Sequence, residues 1–224
     1  MALPRLILSE EHTGAGTTSY TTTATATPQR GSQLILVLGM RDNASIAACT
    51  VGTTGFSIDG SWVSLLSAEF NAGSTYRRVQ FLTARTAFVS PGSGTIQVNN
   101  AAPIGRYLIG LVEIPRGSVG NIGSDATAQG DTDPLAAEIT DIKAGSRIIA
   151  GIMAGGPFGL TTPTGFTELL NLQSSVTTDE LSIYTRINEA DEDGAVSVAG
   201  NDQGALLLQE HRSNPAFLAN SFAI

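Results

Sequence analysis

Charge, histidine and sulfur are all scarce in this chain. Asp, Glu, Lys and Arg make up 14% of its 224 residues, against roughly 25% in an average soluble domain. Lys143 is the one lysine, and 12 cationic against 20 acidic side chains leave a formal net charge of −8. Nucleic-acid binding needs clustered Lys and Arg to displace counterions from phosphates, so neither DNA nor RNA is an expected partner. His12 and His211 are the only histidines, the side chain best suited to proton transfer near neutral pH. Neither adjoins a Ser, Cys or carboxylate in a hydrolase signature such as Gly-x-Ser-x-Gly, and no paired-His or Cys-x-x-Cys spacing offers a transition-metal site. The chain is therefore not expected to be an enzyme or to carry a cofactor.

Cys49 stands alone, so no internal disulfide is possible and synthesis in a reducing cytoplasm is expected. Its setting, Ala47-Ala48-Cys49-Thr50-Val51, reads as a buried, inert thiol in a strand. No apolar run approaches the ~20 residues that span a bilayer. Met1 to Leu8 lacks the charged and apolar regions of a signal peptide. No membrane association is expected.

What is present is Thr, Ser, Gly and Ala around regularly spaced aliphatics. Thr17 to Thr27 carries seven threonines and Tyr20 before Pro28, a composition that favours strand. Period-2 alternation recurs along the chain, with turn signals at Asp59-Gly60, Pro91-Gly-Ser-Gly94 and Asp193-Gly194. The same motifs come twice. Gly31-Ser-Gln before Leu34 returns as Gly145-Ser-Arg before Ile148, and Trp62-Val-Ser-Leu-Leu as Phe166-Thr-Glu-Leu-Leu. Val79, Phe81 and Thr83 return as Leu181, Ile183 and Thr185; Gly94-Thr-Ile-Gln-Val as Gly194-Ala-Val-Ser-Val; Leu111-Val-Glu113 as Leu208-Gln-Glu210. The offsets fall steadily through 114, 104, 102, 100 and 97, as expected of a duplicated unit whose second copy has shorter loops.

The expected fold is all-β: a jelly-roll-like β-sandwich with internal pseudo-twofold duplication. Its expected parts are an N-terminal arm over 1–13, a sandwich over 14–212 with copies at 14–115 and 122–212, and a C-terminal apolar arm over 213–224. The copies could each close a sandwich or interleave as halves of one jelly roll. One pseudo-symmetric domain is the favoured arrangement, because each copy alone has a thin core.

Weaker chemical signals have bland alternatives beside them. Glu189-Ala-Asp191-Glu-Asp193-Gly194 resembles the opening of a calcium loop, but the twelfth position is Gly200, so a solvated hairpin and no metal are expected. Gly151 to Gly159 lacks the Gly-Lys-Ser/Thr of a phosphate loop and reads as a strand end. Asp125 to Asp133 reads as a mobile surface loop. Trp62 and Phe166 read as core aromatics. Glu113 and Glu210 could form a carboxylate pair of the kind glycosidases use, though strand-end surface glutamates are commoner.

Taken together, the Thr-rich strand, Pro28-Gln-Arg-Gly31-Ser-Gln-Leu-Ile-Leu-Val, Gly60-Ser-Trp62, Gly94-Thr-Ile-Gln-Val, Leu111-Val-Glu113, Gly165-Phe-Thr-Glu-Leu and Leu-Gln-Glu-His-Arg212 resemble the β-sandwich structural proteins encoded in tailed-phage head and tail gene clusters. The resemblance covers roughly residues 14–212 and implies a virion component made in the host cytoplasm. A capsid decoration or cement protein is expected, with itself and a major capsid protein as partners. A tail or head-fibre adhesin that binds a surface glycan is the alternative. In the C-terminal arm, Phe217, Leu218, Phe222 and Ile224 are the expected partner-binding residues, since leaving four such side chains in water forfeits roughly 1.5–3 kcal/mol each.

Overall fold

The structure, a computed structural model, describes residues 3–13, 16–72, 74–88, 91–116, 121–131, 133–156, 159–200 and 203–212. Fifteen strands account for its regular structure, and none of these residues is helical. The first half contributes β1 (Arg5–His12), β2 (Thr17–Thr21), β3 (Gln33–Asp42), β4 (Thr50–Thr54), β5 (Ile58–Ala72), β6 (Thr75–Thr86), β7 (Thr95–Ile104) and β8 (Arg106–Ile114). The second contributes β9 (Ile122–Gly130), β10 (Leu135–Ile142), β11 (Arg147–Gly155), β12 (Thr167–Gln173), β13 (Asp179–Ile187), β14 (Glu192–Val198) and β15 (Gln203–His211).

These strands make four antiparallel sheets. A large sheet runs β1-β8-β3-β6-β5, and a small one β2-β7-β4. The second half repeats the order, with a large sheet β9-β15-β11-β13-β12 and a small one β10-β14. Among the described residues no sheet mixes strands of the two halves, so the expectation of one interleaved jelly roll is corrected to two sandwiches. The two large sheets pack face to face, with β1 across from β12, β3 from β11 and β5 from β9. The order of layers is small, large, large, small.

That order explains the sequence pattern. Strands of the small sheets have one face in a core and one in solvent, and Leu135 to Glu138 accordingly alternates buried and exposed. Strands of the large sheets are covered on both faces, so Leu34-Ile-Leu-Val-Leu and Ile148-Ile-Ala-Gly-Ile run apolar without a break. Leu36, Leu38 and Ile109 face one outer core, and Ile148, Ile152 and Leu206 face the other. Ile35, Val37, Phe81, Leu108, Met153, Ile183 and Leu207 fill the core between the large sheets.

Local devices recur at matching positions. Gly31 and Gly145 both have positive φ (63° and 75°) in the turn entering β3 and β11, a conformation that glycine adopts without steric cost. A register slip in β5 between Ser64 and Leu66 has its counterpart in β12 between Glu168 and Leu170, at an offset of 104.

Two peripheral segments differ from the arm and loop expected of them. Residues 5–12, expected as part of an arm, pair with β8; Ile122–Gly130, the start of the second copy, pairs with β15, so residues 125–130 of the expected surface loop are strand instead. Each completes the corresponding edge of its large sheet, which explains why both are ordered into strands.

Candidate functional site

The residues singled out in the sequence are dispersed. Glu113 shares a face of β8 with Ile109 and Leu111, under the first small sheet, whereas Glu210 shares a face of β15 with Leu206 and Leu208, under the second. The large sheets stand between them, so they form no dyad. Neither is on the surface; both are buried clamps. Glu113 accepts from the Gln29 N–H at 2.5 Å and the Ser32 hydroxyl at 2.7 Å, and pairs with Arg5 at 2.6 Å. Glu210 accepts from the N–H groups of Lys143 at 2.7 Å and Ser124 at 2.9 Å, and from Arg212 at 2.9 Å. Burial alone would raise the Glu210 carboxyl; these donors hold it below the ordinary carboxylate value. Gln29 and Lys143 stand 114 residues apart, the offset of the repeated turn itself.

Trp62 and Phe166, expected as core aromatics, are half-buried and pack against the two outer cores from their margins, with Arg186 over the Phe166 ring. In the acidic hairpin, Asp191 accepts from the Ala144 N–H, Asp193 from the Asp141 N–H, and Glu192 pairs with Arg186. Asp193 and Asp191 tie the hairpin to the end of β10 and the turn after it, and Glu192 ties it to β13. Gly151 to Gly155 lies in central strand β11. Phe217, Leu218, Phe222 and Ile224 lie outside the described residues.

Cys49 is buried, and its thiol and backbone N–H both donate to Gln80 Oε1. Burial pushes this thiol up to about 12, so almost no thiolate exists at neutral pH. The native protein is expected to resist an aromatic disulfide reagent at pH 8 and to react stoichiometrically once unfolded. Rapid labelling of the native chain would refute this burial.

His12 stacks on Tyr20 at 3.9 Å, and burial lowers its pKa. The Tyr20 hydroxyl donates to Glu10, which also accepts from the N–H groups of Thr23 and Ala24. This cluster fixes the segment after β2. His211 is fully buried, and neither ring nitrogen has a hydrogen-bond partner among the described residues. Burial, reinforced by Arg147 beside it, pushes its pKa down to about 3. The unfolded chain, with an ordinary imidazole, takes up a proton near pH 6.5 that the folded chain refuses. The stability associated with neutral His211 is thus present in full above about pH 6.5 and is lost as pH falls toward 3. The slope for one proton is about 1.4 kcal/mol per pH unit. A His211→Leu variant should lose less stability than the parent between pH 6.5 and 4.5 in denaturant titrations; parallel curves would show that another group dominates.

One constellation was not visible in the sequence. Arg41 on β3 pairs in register with Arg77 on β6 and with Arg106 on β8, so three guanidinium groups stand abreast on the face turned to the second large sheet. Like charges on adjacent strands repel. Asp179, the wholly buried first residue of β13, reaches across the gap between the sheets. Its carboxylate lies 2.7 Å from Arg77, 3.3 Å from Arg41 and 3.7 Å from Arg106, and it accepts the Thr177 hydroxyl at 2.5 Å. Arg77 also donates to Gln203 and lies over Gly155, where a side chain would collide with its guanidinium. Arg41 and Arg106 remain partly open to solvent and, with Asp42, Asn43 and Gly105, line a pocket of about 160 Å³.

No family model, curated protein or solved structure matches the chain.

Proposed function

We propose that this protein is a structural component of a tailed-phage particle, a decoration protein that binds the outside of the head shell. The resemblance of its ordered motifs to phage head and tail sandwich proteins motivates the reading. The observation that carries it is the four-layer body. Its central strands are buried on both faces, and Glu113, Glu210 and Asp179 are committed to internal contacts. A body built this way presents outer sheet faces, edges and loops for contact. The outer face of the first small sheet carries Ser19, Thr21, Thr50, Thr54, Gln97 and Asn99, with Ser19 donating to Asn99. Uncharged hydroxyl and amide groups of this kind suit broad, hydrated protein contacts. We propose further that the chain consists of two copies of one unit, given the matching strand orders and the repeated register slip, and that it acts as an oligomer or lattice-bound subunit.

The test is cosedimentation of the purified protein with empty phage heads, combined with its copy number in purified particles. Saturable binding and a copy number in proportion to the major capsid protein support a shell decoration. A monomer that fails to bind heads and is present in only a few copies per particle would move it to the tail or a fibre and end this reading.

A further inference from the structure

We infer that the pocket between Arg41 and Arg106 is a binding site for a compact oxyanion, a carboxylate or a tetrahedral anion such as sulfate. Three observations converge on it. Three of the chain's 12 cationic side chains meet at this one place. Their common counter-ion is a single carboxylate, and its two oxygens are already shared by Arg77, Arg41, Arg106 and Thr177. Both lining guanidinium groups also stay partly open to the pocket: the Arg41 and Arg106 side chains are 27% and 15% exposed, with Arg106 Nη1 donating within the protein to the Thr177 hydroxyl at 2.8 Å.

The other acids nearby are engaged elsewhere. Asp42 lines the pocket, but its carboxylate accepts the N–H groups of Asn43 at 2.6 Å, Ala44 at 3.3 Å and Gly105 at 2.8 Å. Glu11, the acid that attracts Arg106, is held by the Ser174 hydroxyl and the Ser175 N–H. Two guanidinium groups flanking an opening are matched to planar or tetrahedral oxygens, because each guanidinium presents its N–H groups as a rigid fork. The half-enclosed setting lets them act with less screening than surface arginines.

Gly105 supplies a clean test. Its φ lies outside the left-handed region, and an added Cβ would make only ordinary contacts, 3.5 Å from the Arg41 carbonyl oxygen and 3.7 Å from Asp42. Gly105→Glu therefore places a carboxylate at the pocket without backbone strain and without removing an arginine. The full chain would be titrated with sulfate, acetate and N-acetylneuraminate at constant ionic strength, with glucose as neutral control, and followed by amide nitrogen–proton correlation spectra. Saturable shifts centred on residues 41–43 and 105–106 are expected for the anions and not for glucose. Gly105→Glu should abolish them, and Arg41→Gln should weaken binding about tenfold, the equivalent of about 1.4 kcal/mol. Similar affinity for all three anions identifies a site for a free anion; tenfold or tighter preference for N-acetylneuraminate identifies a saccharide-borne carboxylate. Absence of saturable shifts in the parent protein overturns the inference, as does an unchanged titration in folded Gly105→Glu. Should that variant fail to fold, an unchanged titration in Arg41→Gln decides against the site.

Discussion

Replacing Asp179 with alanine is expected to cost about 3–5 kcal/mol of unfolding free energy, the range for stranding charge by removing one partner of a buried ion pair. For a chain of this size that is a fall of roughly 10 °C in Tm. The reason lies in the register: Arg41, Arg77 and Arg106 occupy one row of three adjacent strands, and Asp179 is their shared counter-charge. Arg77, only 7% exposed, is the group left most costly. Pairing the change with Arg77→Met should recover part of the loss, because the most deeply buried guanidinium is then gone as well. Chemical denaturation of the two single variants and the double variant measures the coupling. Additive losses, or a loss below 1 kcal/mol in Asp179→Ala, would mean that water reaches this cluster freely.

The second large effect is expected at Phe81. Its ring enters the core between the large sheets and sits over Gly151, where an added Cβ would lie 2.5 Å from the ring. Phe81→Ala should cost about 3–5 kcal/mol through lost burial and the cavity left behind. Gly151→Ala should cost about 1–3 kcal/mol for the opposite reason, overpacking. The two sites test one fit from both sides. In a Phe81→Leu background the shorter side chain makes room, so Gly151→Ala should become cheaper. If the alanine costs the same in both backgrounds, the glycine is there for some reason other than the ring.

Much of the fold could be read from the chain because its causes are local. Strands such as Gln33–Asp42 and Thr75–Thr86 announce themselves by β-branched and aliphatic residues between turn signals, and the falling offsets pair each with its counterpart. Edge strands were harder. Arg5–His12 and Ile122–Gly130 carry many polar residues because they are covered incompletely, and polar segments beside a sandwich resemble arms and loops. The interleaved jelly roll failed for a related reason: the unbroken apolar runs of β3 and β11 signal burial on both faces without saying which sheet supplies the second cover. The arginine row was invisible for another reason. Arg41, Arg77, Arg106 and Asp179 are scattered along the sequence, and only strand register and the packing of one sheet on another bring them together.

The row also makes the two halves selective for each other. At the offsets of the recurring sequence motifs (114, 102 and 97), Arg41, Arg77 and Arg106 match Gly155, Asp179 and Gln203, themselves abreast on β11, β13 and β15. One half thus presents three cations where the other presents a carboxylate, a gap and an amide. A first half meeting another first half would confront six guanidinium groups with no acid between them. Two second halves would oppose aspartate to aspartate across vacant glycine sockets. Either self-pairing is penalised by like-charge contact or by lost packing. The contact between the two large sheets is therefore directional in its chemistry: the cationic row fits the face of the other half and not a copy of its own.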